Sequence, residues 1–357
     1  MEEILPVFWP YYAITLSLAL VFGAVAQRTR FCLQGGLRDL AIQAQPKRIA
    51  TFLAAMAFAA LISSLLEMFS LVDLHSTRPN YRSSDFAYGR YLIGGLIFGY
   101  GMVLAAGCGF RQVIKSGEGS IKALWALSVM ALTIFAMTRG EFFGNYLLPP
   151  LSHLSISFNG PQDFGSLISK EDSQSIRLFL AALFCVAVCW RINVMRLGYS
   201  VYTTAILVGL IISAGYLLTS GEYAQFLADE AAFMTTPPSG LGGQSFTVAA
   251  PLGDTVYFLN QRSISDINFG VLAICGLFIG SIISAVFSGR FSLQGFNSWP
   301  DFFKANIGAV FAGAGAVIAM GCSVGHGLTG LATLSLGSLL AFGGIVVGGS
   351  IAIKQVG

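Results

Sequence analysis

Residues 94–108 read GGLIFGYGMVLAAGC and residues 308–322 read GAVFAGAGAVIAMGC. In one ungapped register Gly94, Gly99, Gly101, Val103, Ala105, Gly107 and Cys108 fall on Gly308, Gly313, Gly315, Val317, Ala319, Gly321 and Cys322. Both stretches are apolar, and both carry glycines that let a neighbouring helix approach closely in a membrane. Each ends at a Gly-Cys step followed by a short irregular stretch before the next apolar run, which predicts a helix broken inside the bilayer. Outward from these segments, Arg30–Gly35 (RFCLQG) returns as Arg290–Gly295 (RFSLQG), with Ser292 in place of Cys32. The chain is therefore expected to hold two pseudo-symmetric halves, residues 11–137 and 267–357, joined by connecting spans and polar loops over 138–266.

Composition fixes the solvent. Charged residues make up 10% of the chain and the AVILMFWYC set 55%, with a mean hydropathy of +0.73; an ordinary soluble domain carries about 25% charged residues. Apolar stretches from Tyr11–Ala26 through Leu331–Ile353 approach or exceed the roughly 20 residues that cross a hydrocarbon core, about nine in all. The expected fold is an all-α polytopic membrane protein of about nine transmembrane helices plus re-entrant loops or half-helices. Met1–Pro10, acidic at Glu2 and Glu3, lacks the pattern of a cleaved secretory signal, so the first span is expected to remain in the mature protein.

The net charge of +3 is spread over short loops (Lys47-Arg48, Arg111/Lys115/Lys122, Arg191/Arg196), with no basic run that could track a phosphate backbone, so no nucleic-acid partner is expected. Six cysteines without a CxxC pair make neither a disulfide framework nor a zinc spacing. Neither a metal nor an organic cofactor is expected. Short basic loops belong on the cytoplasmic side. Counting from them places the amino terminus in the periplasm, Lys354 in the cytoplasm, and the Cys108 and Cys322 loops on opposite faces. The same count leaves Cys32 and Ser292 on one face, at odds with a strict inverted repeat.

Non-helical backbone at membrane depth survives only where protein or a cavity satisfies it, so its amides are available to a permeating ligand. Helix amino termini beside such loops add partial positive charge without a full charge in lipid. The candidate ligand-binding residues are accordingly Cys32, Cys108 and Cys322 with Gly107, Gly109, Gly321, Ser323 and Gly325. Arg28, Arg30 and Arg290 are either topology signals or a cationic vestibule. His326, four residues after Cys322, is read as a polar residue near the mouth. Cys185 and Cys189, at helical i, i+4 spacing, and Cys275 are read as small buried hydrophobes. Glu67, near the end of an apolar span, is either functional or paired with an arginine.

Residues 27–36 (QRTRFCLQGG), with Gly94–Cys108, Gly308–Cys322 and Gly325-His326-Gly327, resemble the YeeE/YedE family of sulfur-transport membrane proteins, and the likeness runs through nearly the whole chain. The resemblance implies thiosulfate uptake across the bacterial inner membrane through an hourglass-shaped body. The cysteines at its constriction would map onto Cys32, Cys108 and Cys322. It also implies a separate TusA-like sulfur-carrier protein on the cytoplasmic side, since the chain stops four residues after Ile353. The chemistry agrees: thiosulfate oxygens suit backbone donors and its soft terminal sulfur suits a protonated thiol, whereas a thiolate repels a dianion. No phosphate-binding GxxxxGK[ST] loop is present, which suggests passage down a gradient. Carriage of another sulfur or selenium species, a membrane thiol oxidoreductase and a non-transporting subunit are the competing readings.

Overall fold

The computed structural model describes residues 4–356; Glu2 and Glu3 lie outside them. The helices are α1 (Ile4–Thr29), α2 (Leu33–Gln43), α3 (Lys47–Met68), α4 (Tyr88–Leu104), α5 (Gly109–Gly117), α6 (Ile121–Arg139), α7 (Leu148–Ser152), α8 (Phe164–Ile168), α9 (Ser173–Val194), α10 (Ser200–Ser220), α11 (Glu222–Ala232), α12 (Ala249–Gln261), α13 (Phe269–Phe287), α14 (Trp299–Ala319) and α15 (Leu336–Val356). Among the described residues nine helical segments are long and apolar enough to cross a bilayer, those built on α1, α3, α4, α6, α9, α10, α13, α14 and α15. The protein is an all-α multi-pass membrane protein. Its described strands are a two-residue pair, Asp85–Phe86 antiparallel to Ile156–Ser157, in the polar loops.

Helix starts follow capping chemistry. The side chains of Ser120, Asn268 and Ser298 accept the amides of Ala123, Val271 and Asp301, opening α6, α13 and α14. Small residues then decide which helices touch. A Cβ on Gly94 would stand 2.3 Å from the amide nitrogen of Ala319, and one on Gly315 2.3 Å from that of Phe98. On Gly101 and Gly308 it would meet the amides of Ala312 and Ala105 at 2.4 and 2.2 Å. Position rises along α4 as it falls along α14, so the two cross antiparallel, backbone to backbone, and both end just beyond the crossing. The Cys108 and Cys322 loops therefore enter from opposite ends of the pair.

The second sequence match behaves differently. Gly276 meets Ala19, Gly280 meets Leu20, and Ser284 Oγ donates to the Ala24 carbonyl (3.2 Å) and to Gln27 Oε1 (2.7 Å). Thus α1 and α13, which lead into Arg30–Gly35 and Arg290–Gly295, run parallel and finish on one face. The α3/α10 pair has the same sense: Gly209 packs on Phe58 and Ala59, and Ser213 bonds Ser63 at 3.0 Å.

The polar segments fold over the end of the bundle where α3 finishes. Glu67 is buried there and receives both guanidinium Nη atoms of Arg82 and one of Arg177 (3.2 Å); Arg177 also bonds Asp163 at 2.9 Å. A buried carboxylate is tolerable when its oxygens are so fully paired. The pairing that the sequence suggested for Glu67 is present, and its partners come from the loop before α4 and from α9.

Candidate functional site

The same turn occurs three times. After α1 the amides of Arg30 and Phe31 donate to the carbonyls of Gln27 (3.3 Å) and Ala26 (3.1 Å). After α4 Ala106 and Gly107 donate to Val103 (3.1 Å) and Met102 (2.8 Å), and after α14 Met320 and Gly321 donate to Val317 (3.2 Å) and Ala316 (2.9 Å). These are the paired bonds of a Schellman helix end, whose pivotal residue takes a left-handed backbone. That residue is Arg30 (φ 54°), Ala106 (φ 58°) and Met320 (φ 62°), in each case two positions before a cysteine. The cysteine then opens a short helix pointing back: its carbonyl accepts the amide four residues on, from Gly36, Gln112 and His326. At two of the three the sulfur also receives the amide three residues on, Cys32 from Gly35 at 3.3 Å and Cys322 from Gly325 at 3.4 Å, whereas Cys108 heads its helix without a side-chain cap. The short helices are α2, α5 and residues 323–332, the last with a wide π-helical turn at Gly325–Gly330.

Three short helices therefore each begin at a buried cysteine and present the positive end of a peptide dipole there. The Cys32 and Cys108 side chains are neighbours, Ser323 is close to Cys108, and the buried Ser323 hydroxyl completes no hydrogen bond. Cys32, Cys108 and Cys322 are only 4%, 2% and 2% exposed. All three are free thiols. Side chains clasp two of the turns: Gln112 Nε2 donates to the Ala105 carbonyl at 2.6 Å, and His326 Nε2, at the equivalent position, bonds the Ala319 carbonyl at 2.9 Å. A carbonyl only accepts, so His326 carries its proton on Nε2 and its Nδ1 faces Ser338 Oγ at 3.4 Å.

A cavity of about 400 Å³ reaches Cys32 from one end and collects Arg30, Arg38, Arg48, Arg111 and Lys115. Of these, Arg48 is neutralised by Asp39 at 3.2 Å and Arg111 contacts Glu118 at 3.4 Å, while Lys115 Nζ donates to the Ala106 carbonyl at 2.7 Å. Arg111 and Lys115, read from sequence as loop charges, sit on α5. A second cavity of about 380 Å³ opens at the other end, lined by Tyr81, Arg90, Thr247, Met320 and Gly321. A smaller neighbour of about 190 Å³ shares Tyr81 and Arg90 and reaches His326.

Of the vestibule candidates, only Arg30 lines the cationic cavity. Arg28 lies outside it, its carbonyl accepting from Arg290 Nη1 at 3.1 Å. His326 is fully buried instead of standing at a mouth. Cys185 and Cys189 share one face of α9 and Cys275 is exposed on α13, so the structure leaves these three thiols away from the other set. Ser292 caps no helix: α13 turns at Gly289 (φ 64°), one residue earlier than α1 does in the matched register, and the chain leaves as an extended loop bonding Glu118. Sequence reasoning missed Tyr81, Arg90 and Arg38, which no local motif marks.

A family model described as sulphur transport matches residues 28–351. The thiosulfate transporter TsuA of Escherichia coli is 27% identical over 336 residues, which cover 88% of this chain and 85% of its own. The thiosulfate transporter TsuA of Spirochaeta thermophila is 24% identical over 334 residues, covering 91% and 93%. The probable transporter YedE of Salmonella typhimurium is 28% identical over 135 residues, covering 37% of this chain and 31% of its own.

Proposed function

Because the chain belongs to the sulphur transport family, we propose that it carries thiosulfate across the bacterial inner membrane through the waist formed by Cys322, Cys108 and Cys32. The observation that carries this reading is the set of three short helices that begin at buried cysteines, with Cys32 at one cavity and Cys322 next to Gly321 of the other. A protonated thiol offers a weak, soft donor to the terminal sulfur, and the first amides of each short helix, which have no partner within the helix, offer harder donors to the oxygens. Passing the anion from one thiol to the next keeps it hydrogen-bonded without its ever facing a full buried cation, which would hold it too tightly to release.

The cationic cavity at Cys32 faces the cytoplasm in this reading, following the positive-inside placement of Lys47, Arg48 and Arg191. The Tyr81 cavity then faces the periplasm, with the amino terminus on that side and Lys354 inside. The anion enters past Cys322 and leaves past Cys32, where a separate TusA-like carrier would collect it. The two related units are α1–α6 and α10–α15, since that exchange carries α1/α13 onto α10/α3 and α4/α14 onto itself. The protein acts as a transporter, with no covalent chemistry required of the thiols.

The test is uptake of radiolabelled thiosulfate into cells lacking other sulfate and thiosulfate importers, with the unaltered chain and with Cys108→Ala and Cys322→Ala at equal membrane abundance. The reading expects uptake by the first and its loss in the variants. No uptake by the unaltered chain, with uptake of another sulfur or selenium anion, would reassign the substrate. The neighbouring Cys32 and Cys108 side chains favour the oxidoreductase as second reading. Full alkylation of both thiols in protein that has turned over under air would remove it.

A further inference from the structure

Tyr81 combines a fixed backbone with an unused side chain. Ser335 Oγ donates to its carbonyl at 2.6 Å, and the next residue, Arg82, bonds the Thr333 carbonyl at 3.0 Å while pairing with Glu67. The segment is thus held from both sides by the chain that follows the Cys322 helix. The ring meets His326 edge-on at 6.1 Å between centroids. Yet the Tyr81 hydroxyl, on a side chain belonging to a residue only 4% exposed, completes no hydrogen bond.

Leaving a buried hydroxyl unpaired forfeits its hydration without a replacement bond, so an orphan on so firmly positioned a residue calls for a partner. Tyr81 lines the second cavity, and the surroundings of its hydroxyl locate that group further. A Cβ on Gly325 would lie 3.6 Å from Tyr81 Oη, 3.7 Å from Cys322 Sγ and 3.6 Å from Thr247 Cγ2. Tyr81 Oη and Cys322 Sγ therefore flank one glycine at the opening of the 323–332 helix.

We infer that the Tyr81 hydroxyl is an oxyanion-binding donor on the outer side of the waist, taking an oxygen of the sulfur anion while the terminal sulfur meets Cys322. This rests on the transport reading above and adds to it a group that selects for oxygen-bearing anions before the cysteines are reached. Burial, followed by the proximity of Tyr216, Cys322 and Tyr91, pushes the phenol well above its ordinary range, so it stays a donor at any physiological pH. Arg90 stands at the same cavity with its guanidinium spent on the Ile318 and Val317 carbonyls (3.2 and 3.4 Å), supplying field where Tyr81 supplies contact.

Tyr81→Phe tests the inference, with purified protein in liposomes for uptake and in detergent for melting. Removing an unpartnered buried hydroxyl should leave the ligand-free melting temperature unchanged or raised. The half-saturating thiosulfate concentration should rise about tenfold or more, as expected for one hydrogen bond to a charged group, with uptake at saturation largely kept. The upward melting shift that thiosulfate gives the unaltered protein should shrink accordingly. An unchanged half-saturation and an unchanged shift would overturn the inference while leaving the transport reading intact. A lower maximal rate at unchanged half-saturation would assign Tyr81 a packing role and overturn it as well. Absence of any shift or uptake in the unaltered protein would sink the transport reading and this inference with it.

Discussion

Gly94 and Gly308 make the same contact from opposite sides: each faces the backbone amide of the alanine that ends the other's helix, Ala319 for Gly94 and Ala105 for Gly308. Those alanines stand three residues before Cys322 and Cys108. The closest approach of α4 and α14 and the placement of the two thiols are consequently one geometric fact.

Gly308→Ala should force α4 and α14 apart, because the new methyl would meet backbone that cannot rotate away. Overpacking of this kind costs about 1–3 kcal/mol. The expected result is a melting temperature lower by several degrees and a marked loss of uptake. Gly343→Ala, on α15 with nothing within 4 Å of its Cβ position, is the matched control and should change neither. Equal behaviour of the two variants would dissociate the crossing from the waist.

Cys108→Ser keeps a donor of similar shape and removes the soft sulfur, in a residue near both Cys32 and Ser323. Uptake should fall severalfold to about tenfold, because the harder, shorter hydroxyl still donates but meets the soft terminal sulfur of the anion less well than a thiol does. Melting should be little altered. Wild-type rates in this variant would mean that the waist needs a donor there but no thiol.

Arg82→Ala leaves Glu67 with Arg177 as its remaining close arginine and frees the Thr333 carbonyl. Breaking a buried ion pair from one side costs about 3–5 kcal/mol. Poor membrane abundance and a much lower melting temperature are expected, measured by fluorescence-detected gel filtration across a temperature ramp. Because Thr333 follows the Cys322 helix, any protein that survives should show altered alkylation of Cys322. A stable variant with unchanged alkylation would count against the clamp.

Arg38→Gln removes a cation of the cavity at Cys32 that makes no ion pair among the described residues. The expected effect is a fall of a few-fold in thiosulfate efflux from liposomes at low salt, vanishing near 0.5 M salt, where the screening length is only about 4–5 Å. A decrease that persists at high salt would point to a direct contact instead of a field.

The broken helices were legible because their signal is local. A Gly-Cys step at the end of an apolar run, present twice, marks where a helix must stop, and the Schellman bonds after Met102 and Ala316 form within a few residues of it. Cys32 was found by its own motif for the same reason. The Arg290–Gly295 match misled over symmetry. Six residues can be shared by helices that run parallel, and a left-handed turn falling at Gly289 instead of Arg290 decides whether a capped helix or a loop follows. Tyr81 was invisible because nothing near it in sequence says that Gly325 lies beside its hydroxyl. The clustering of Arg38 with Arg111 and Lys115 is likewise a product of distant elements meeting.

Cys32, Cys108 and Cys322 are all buried, with Cys32 lining the cationic cavity and Cys322 following Gly321, which lines the one at Tyr81. If those buried side chains close the route in the resting protein, a bilayer crowded with copies of it would stay electrically tight, and its proton-motive force would not leak between the two cavities. An anion would reach such a route carrying its own acceptors for the thiol, hydroxyl and amide donors along it.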